Sequence, residues 1–321
     1  MRNKLTKILG IVIAAFSLIS FCGCNTPTIN TKDGTTIVCT IFPIYDWVCE
    51  LTEGIDNVNV VLLAQNGADM HSFQPTVSDF VKIADCDMFI YVGGESEEWI
   101  DDCLSQNPNE KRDDINLLEV LAAQLIEESD TGIFEESEEE EEDAENDEHI
   151  WLSLKRSITA VEGIADCLEN KNIDSAKVKE NRERYVSELQ SLDKEYEEFF
   201  SSMDNPEIIV VDRFPFRYLT ADYGISYYAA FSGCTTETDA SFDTIIGLAD
   251  VLSEGDYGVL FITEAGDEKL AETVMEQAGK EVDIAVINSI QSVGQSDIDN
   301  KTAHYLSFMR DNLNTFRQYV K

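Results

Sequence analysis

Short apolar runs rich in β-branched residues alternate along this chain with longer segments whose apolar positions recur every three or four residues. The runs at 36–41, 58–63 and 88–92 read as strands, and the segments opening at Pro43 and near Val77 read as helices between them. Thr76 stands where the second helix wants an N-cap. Gly93-Gly94 breaks the third strand before a helix containing Trp99 and Ile100, and residues 114–120 fit a strand or a helix equally well. An amphipathic helix follows at 157–168, then a long one at 174–200 with Tyr185, Leu189, Leu192, Tyr196 and Phe199 on one stripe. At about 1.5 Å per residue the long helix spans roughly 40 Å, enough to cross from one lobe to another and too stiff to be a hinge. The alternation then resumes, with strands at 208–211, 225–230, 259–262 and 284–287. The intervening helices open at Pro215 and cover 244–252 and 269–277, and a closing helix covers 302–319. The predicted fold class is α/β: two lobes, each with a mostly parallel sheet flanked by helices, joined by one long rigid helix. Residues 36–173 form the expected first lobe, 174–203 the linking helix and 204–321 the second lobe. Strand-end loops then face each other across a cleft.

The first 35 residues break this pattern. Arg2, Lys4 and Lys7 precede an apolar run at 8–21 that is too short for an ordinary membrane span and reads as a secretion signal. The run ends in Phe21-Cys22-Gly23-Cys24, which resembles the bacterial lipobox, with small Gly23 before an acceptor Cys24. Cys22 is the poorer acceptor, because Phe21 occupies the place of a small residue. Residues 1–23 are therefore expected to be a lipoprotein signal peptide, Cys24 the lipidated residue and 24–35 a tether. The mature protein is expected to be extracytoplasmic and lipid-anchored to the bacterial cell membrane. Six cysteines follow Cys24: Cys39, Cys49, Cys86, Cys103, Cys167 and Cys234. They are scattered singly with no C-x-x-C pair, which removes zinc-knuckle and thioredoxin-type readings.

Charge narrows the partners. With 23 Lys and Arg against 63 Asp and Glu, a formal net charge of −40 over 321 residues excludes a nucleic-acid binder, which needs a basic surplus. Residues 135–148 are nearly all acidic with nothing apolar to bury except Ala144, and read as a disordered, solvated loop. The chain holds only three His residues. His71 sits in a loop after the second strand, bracketed by Gly67, Asp69 and Pro75, and His149 closes the acidic tract before Ile150-Trp151-Leu152. Ligand sites collect at strand ends in α/β folds, so the two are read as ligands of one transition-metal ion. At least two more ligands would have to come from the other lobe to close a tetrahedral or larger shell. No H-E-x-x-H helix is present, so the common zinc-protease pattern is absent. His304, in the closing helix, reads as a surface residue.

Several segments together carry a family resemblance. They are Ile41-Phe42-Pro43-Ile44-Tyr45-Asp46, Gly67-Ala68-Asp69-Met70-His71-Ser72-Phe73-Gln74-Pro75-Thr76, Ala84-Asp85-Cys86-Asp87-Met88-Phe89-Ile90-Tyr91 and Asp147-Glu148-His149-Ile150-Trp151-Leu152. Tyr218 through Tyr223-Gly224 and Tyr305-Leu306-Ser307-Phe308-Met309 continue the series. In this order they resemble the zinc- and manganese-binding solute-binding lipoproteins of bacterial metal ABC importers, in the zinc-binding branch. The resemblance implies two α/β lobes on a rigid helix, with His71 and His149 as the first-lobe ligands. It also implies that the acidic tract occupies the place of a mobile His-rich loop. The second lobe departs from the family pattern. Arg213 stands in register with a His or Glu ligand, and Asn288 where the family usually has Asp. A guanidinium cannot ligate a cation. Asp212 and Glu237 are therefore the preferred second-lobe ligands, ahead of Glu264 and Cys234, with Arg213 orienting a carboxylate.

The function this resemblance implies is an extracytoplasmic receptor that captures zinc, with manganese as the alternative, between its lobes. It would deliver the ion as a monomer to an ABC permease and its ATPase, without chemistry on a substrate. Two other classes compete. One is a receptor or adhesin on the same scaffold with a degenerate metal site, which Arg213 and Asn288 allow. The other is a zinc hydrolase, which lacks a third firm ligand and an evident general base.

Overall fold

The computed structural model describes residues 34–65, 67–128, 132, 134, 146–171, 173–234 and 240–320. The expected signal peptide, Cys24, nearly all of the tether, most of the acidic tract and Glu237 lie outside them.

The first sheet grows from two buried central strands. β1 (Thr35–Cys39) and β3 (Met88–Tyr91) carry Ile37, Val38, Cys39, Phe89 and Ile90 with both faces covered, as central strands of a parallel sheet require. With β2 (Val58–Leu62) and β4 (Asp113–Asn116) they form the order β2-β1-β3-β4, every pair parallel. α1 (Phe42–Leu51) joins β1 to β2, and Pro43 fits at its start, where a missing N–H costs nothing. α2 (Val77–Asp85) opens on a reciprocal cap: Thr76 Oγ1 accepts from Asp79 N, and Asp79 Oδ2 accepts from Thr76 N at 2.9 Å. α3 (Trp99–Gln106) leads to β4. Residues 113–120 turn out to serve as both elements: β4 is followed at once by α4 (Leu117–Val120), whose cap is the Asn116 carboxamide accepting from Glu119 N.

α5 (Leu154–Glu169) and α6 (Ser175–Phe200) leave the first lobe. α6 is tied at both ends. Asn181 Nδ2 donates to Leu51 O and Glu53 O at 3.1 and 2.9 Å, and Tyr196 Oη donates to Met309 O at 2.6 Å. Its stripe closes on Phe200, which is fully buried, whereas Phe199 is only partly covered, because Phe200 keeps the four-residue step from Tyr196.

The second sheet repeats the topology. β5 (Glu207–Arg213), β6 (Ser226–Phe231), β7 (Val259–Ile262) and β8 (Asp283–Val286) lie in the order β6-β5-β7-β8, all parallel. α7 (Arg217–Tyr223), α8 (Phe242–Glu254), α9 (Glu268–Ala278) and the short α10 (Gln295–Asp299) connect and cover these strands. α11 (Tyr305–Tyr319) runs back across α6 to touch α1. One apolar core therefore continues from Ile37 and Trp47 through Tyr185 and Tyr196 to Phe216, Ile287 and Phe316. His304 is exposed, as expected, but stands at the N-cap of α11 and not inside it, with Nδ1 3.7 Å from Asp46 Oδ1.

Candidate metal centre

Two copies of one local device set the imidazoles. After β2 the chain makes a 3₁₀ turn, Met70–Ser72, pinned to the core by buried Met70. Asp69 Oδ1 accepts from His71 N at 3.0 Å. Ahead of the 3₁₀ turn Ile150–Leu152, Asp147 Oδ1 accepts from His149 N at 2.8 Å. In each Asp-x-His segment the short carboxylate bonds the backbone two residues on, which fixes where the imidazole leaves the chain. The rings meet at the cleft. His71 Nε2 and His149 Nε2 are 3.0 Å apart, and His71 Nδ1 lies 2.7 Å from Ser96 Oγ. His149, fully buried, places Nδ1 3.2 Å from Asp147 Oδ1, which can only accept.

Asp147 and Glu148 were expected to end a solvated acidic loop, and both are instead about 98% buried, since each is 2% exposed. The Glu148 carboxylate accepts from Ser96 N at 2.9 Å, and Tyr218 Oη donates to Asp147 O at 2.7 Å. Gly94, at φ 89°, lets the loop after β3 close directly over Glu148, where any Cβ would collide with that carboxylate.

These surroundings push the two imidazoles apart in basicity. Burial and the neighbouring His149 take His71 down to about 3. Burial also opposes the charged form of His149, but the Asp147 carboxylate, joined by Glu148 and Glu128, outweighs it and raises His149. At 3.0 Å the two Nε2 atoms share a proton, and the directions of these shifts favour His149 over His71 as its holder. A metal ion would take that proton's place.

The second-lobe wall is built differently. Asp212 does not reach the imidazoles. Its Oδ2 accepts from Thr263 N at 3.0 Å and Thr263 Oγ1 at 2.5 Å, and its Oδ1 accepts from Arg213 N at 2.8 Å, so the carboxylate ties β5 to the end of β7. Glu264 accepts from Ser289 N and Oγ at 2.7 and 2.8 Å, and Asn288 Oδ1 accepts from Ile290 N at 2.7 Å. Both therefore serve the loop after β8, which holds the β-branched Ile290 at φ 61°. That loop delivers Gln291, whose Nε2 is 3.2 Å from His71 Nε2. Arg213 reaches across to Asp69 at 2.8 Å, so its charge is matched by the carboxylate that positions His71. Glu237 lies outside the described residues.

Besides Gln291, the second lobe brings Cys234 to the pair, in the loop after β6. Its Sγ and one nitrogen of each imidazole all lie within 4.8 Å of one another. Burial first, then the carboxylates of Glu128, Asp147 and Glu148, raise this thiol far above its ordinary value. Gln291 was missed because amide side chains carry no ligand signature, and the repeated Asp-x-His spacing was the available signal for Asp69 and Asp147. In a tetrahedral zinc shell, nitrogens bonded at about 2.0–2.1 Å lie about 3.4 Å apart. The observed 3.0 Å is shorter than that edge, as befits two nitrogens sharing a proton.

Residues 37–319 match the family described as zinc-uptake complex component A periplasmic, ZnuA. The chain is 28% identical over 314 residues to the zinc-binding lipoprotein AdcA of Streptococcus pneumoniae, covering 97% of this chain and 61% of that protein. It is 25% identical over 323 residues to the high-affinity zinc uptake system protein ZnuA of Bacillus subtilis, covering 96% of each. Among solved structures, the Zn(II)-bound ZnuA-like domain of S. pneumoniae AdcA superposes with a TM-score of 0.70 at 26% identity, over 89% of this chain and 98% of that one.

Proposed function

Because the chain belongs to the ZnuA family, zinc-uptake complex component A, we propose that it is the extracytoplasmic substrate-binding component of a zinc ABC importer. It captures the ion between its lobes and hands it to a permease coupled to an ATPase. The observation that carries this reading is the contact of His71 Nε2 with His149 Nε2 at 3.0 Å on the cleft wall. Zinc favours imidazole nitrogen, whereas manganese favours carboxylate and water oxygen in octahedral sites. The carboxylates of Asp212 and Glu264 are already committed to neighbouring backbone N–H groups, which argues against manganese. Glu237 is retained as a second-lobe carboxylate candidate. The ion pair of Arg213 with Asp69 removes the objection that a guanidinium would repel the cargo, and with it the main support for a degenerate receptor. Capture and release require no reaction, so the protein is read as a non-catalytic monomer.

The rest of the chain is assigned to match. Residues 1–23 are the signal peptide, Cys24 carries the lipid and 24–35 form the tether. The first lobe covers 36–173, the linking helix 174–203 and the second lobe 204–321. The test is elemental analysis of the purified protein, followed by titration of the chelator-stripped protein with zinc and with manganese. One zinc per chain, held well ahead of manganese, is the expected result, and absence of zinc binding ends the proposal. For the anchor, a clickable fatty acid should label the wild type and leave Cys24→Ala unlabelled.

A further inference from the structure

We propose that Cys234 is a ligand of the captured ion and makes the cleft selective for thiophilic d¹⁰ cations such as zinc, cadmium and copper(I) over manganese and magnesium. The inference rests on the reading that His71 and His149 bind the ion, and it goes beyond that reading in naming the second-lobe donor and the cargo class. Three observations carry it. First, the thiol is grouped with the imidazoles: its Sγ and one nitrogen from each ring lie within 4.8 Å of one another.

Second, the position of the thiol is imposed by packing. Gly233 presses its backbone onto the His149 ring, where an added Cβ would lie 3.1 Å from Cε1 and 2.9 Å from Phe214 O. Real Cβ atoms are seldom held that close, so only glycine lets the loop after β6 come down on the imidazole and carry Cys234 into the cleft. Buried Ala229, Ala230 and Phe231 fix the strand end from which that loop starts.

Third, two strand-end carboxylates of the second lobe that would serve a harder ion are bound elsewhere: Asp212 on Thr263, Glu264 on Ser289. Cys234 is a free thiol, as is every cysteine among the described residues. Binding exchanges its S–H bond for an S–metal bond, and the proton leaves to water. Two imidazoles and one thiolate form a soft set that suits zinc and its heavier relatives and disfavours manganese. Arg213 and Asn288 then mark a ligand that has moved to another strand end.

Cobalt(II) is the spectroscopic probe, added to the chelator-stripped full chain. The wild type should show the visible bands of a tetrahedral ion together with a near-ultraviolet thiolate-to-cobalt charge-transfer band. Cys234→Ser should still bind cobalt through its imidazoles, lose the charge-transfer band, and reduce the ratio of zinc to manganese affinity at least tenfold. Zinc-edge X-ray absorption on the wild type needs no substitution, and should find one sulfur at about 2.3 Å. Bound cobalt without the charge-transfer band, a band that survives Cys234→Ser, or zinc with nitrogen and oxygen neighbours only would overturn the thiolate and leave the imidazole pair standing. No binding of either ion to the wild type would overturn both.

Discussion

The two walls of the cleft use their acidic residues in opposite ways. On the first-lobe wall, Asp69 and Asp147 bond the backbone of the histidine two residues on, at 3.0 and 2.8 Å, and so aim an imidazole. On the second-lobe wall, Asp212 and Glu264 bond the backbone of a neighbouring segment, at Thr263 and Ser289, and their effect is to join strand ends. Both arrangements satisfy backbone N–H groups, and only the first aims an imidazole. A carboxylate at a strand end is thus no sign of a ligand by itself. What decides is whether its partner is local, which frees a neighbour to project, or distant, which closes the loop.

The largest effect should follow from removing the aimed pair. His71→Ala and His149→Ala are each expected to weaken zinc at least tenfold, about 1.4 kcal/mol, and the double substitution at least a hundredfold. Isothermal titration with a competing chelator measures all three. A double variant with wild-type affinity would mean that the first-lobe wall is not the site.

A smaller and more directional effect should come from pH. Zinc competes with the proton on His149, and that group is raised from its ordinary 6.5 by the Asp147 carboxylate acting against burial. A raised imidazole keeps its proton to higher pH, so zinc affinity should still be climbing as pH rises past 6.5 and should fall steadily below it. Asp147→Asn removes the charge that retains the proton, and the midpoint of this fall should move to lower pH. Zinc titrations across pH 5 to 9, a window of about two units around the ordinary value, decide the matter. A midpoint that stays in place or moves upward contradicts the role given to Asp147.

On the other wall, Asp212→Ala should act on stability before affinity. It strands the N–H groups of Thr263 and Arg213 and should cost about 2 kcal/mol of unfolding free energy. Zinc affinity should change less than in either histidine variant. Arg213→Ala breaks the pair with Asp69 and should lower affinity by no more than a few fold, since the bond from His71 N to Asp69 remains. Denaturant melts beside the titrations distinguish these outcomes. Asp212→Ala losing affinity as His71→Ala does, with stability unchanged, would return Asp212 to the ligand set.

Most of the architecture was legible in the sequence, because the strands are short β-branched runs and the long helix keeps its stripe over about six turns, from Val178 to Phe200. Residues 113–120 were not, since four residues of each element are too few to show a period. His71 and His149 were legible as types at strand ends. The second-lobe wall was not, because the direction of a carboxylate depends on Thr263 or Ser289, some 51 and 25 residues away in the chain. Cys234 was visible as a softer donor, but its place depends on a glycine fitting against an imidazole 84 residues earlier, from Gly233 to His149. Asp147 and Glu148 were hidden by the company they keep. They follow an acidic run, and only the fold separates the two buried carboxylates from it.

That separation gives the smallest expected effect. If the acidic run only raises the local cation concentration, deleting residues 135–145 should leave equilibrium affinity within about twofold, provided Asp147 and Glu148 are kept. Extending the deletion through Asp147 should behave differently, because it removes the acceptor for His149 N and for the ring. The shorter deletion should slow zinc capture at low salt and match the wild type at high salt. Exposed charges are screened beyond about 8 Å at physiological ionic strength, while the buried Asp147 and Glu148 are not. Stopped-flow capture at two salt concentrations, run with an equilibrium titration, makes the measurement. A collapse of affinity in the shorter deletion would show that the run supplies ligands, and the first-lobe wall would then extend beyond its two aimed histidines.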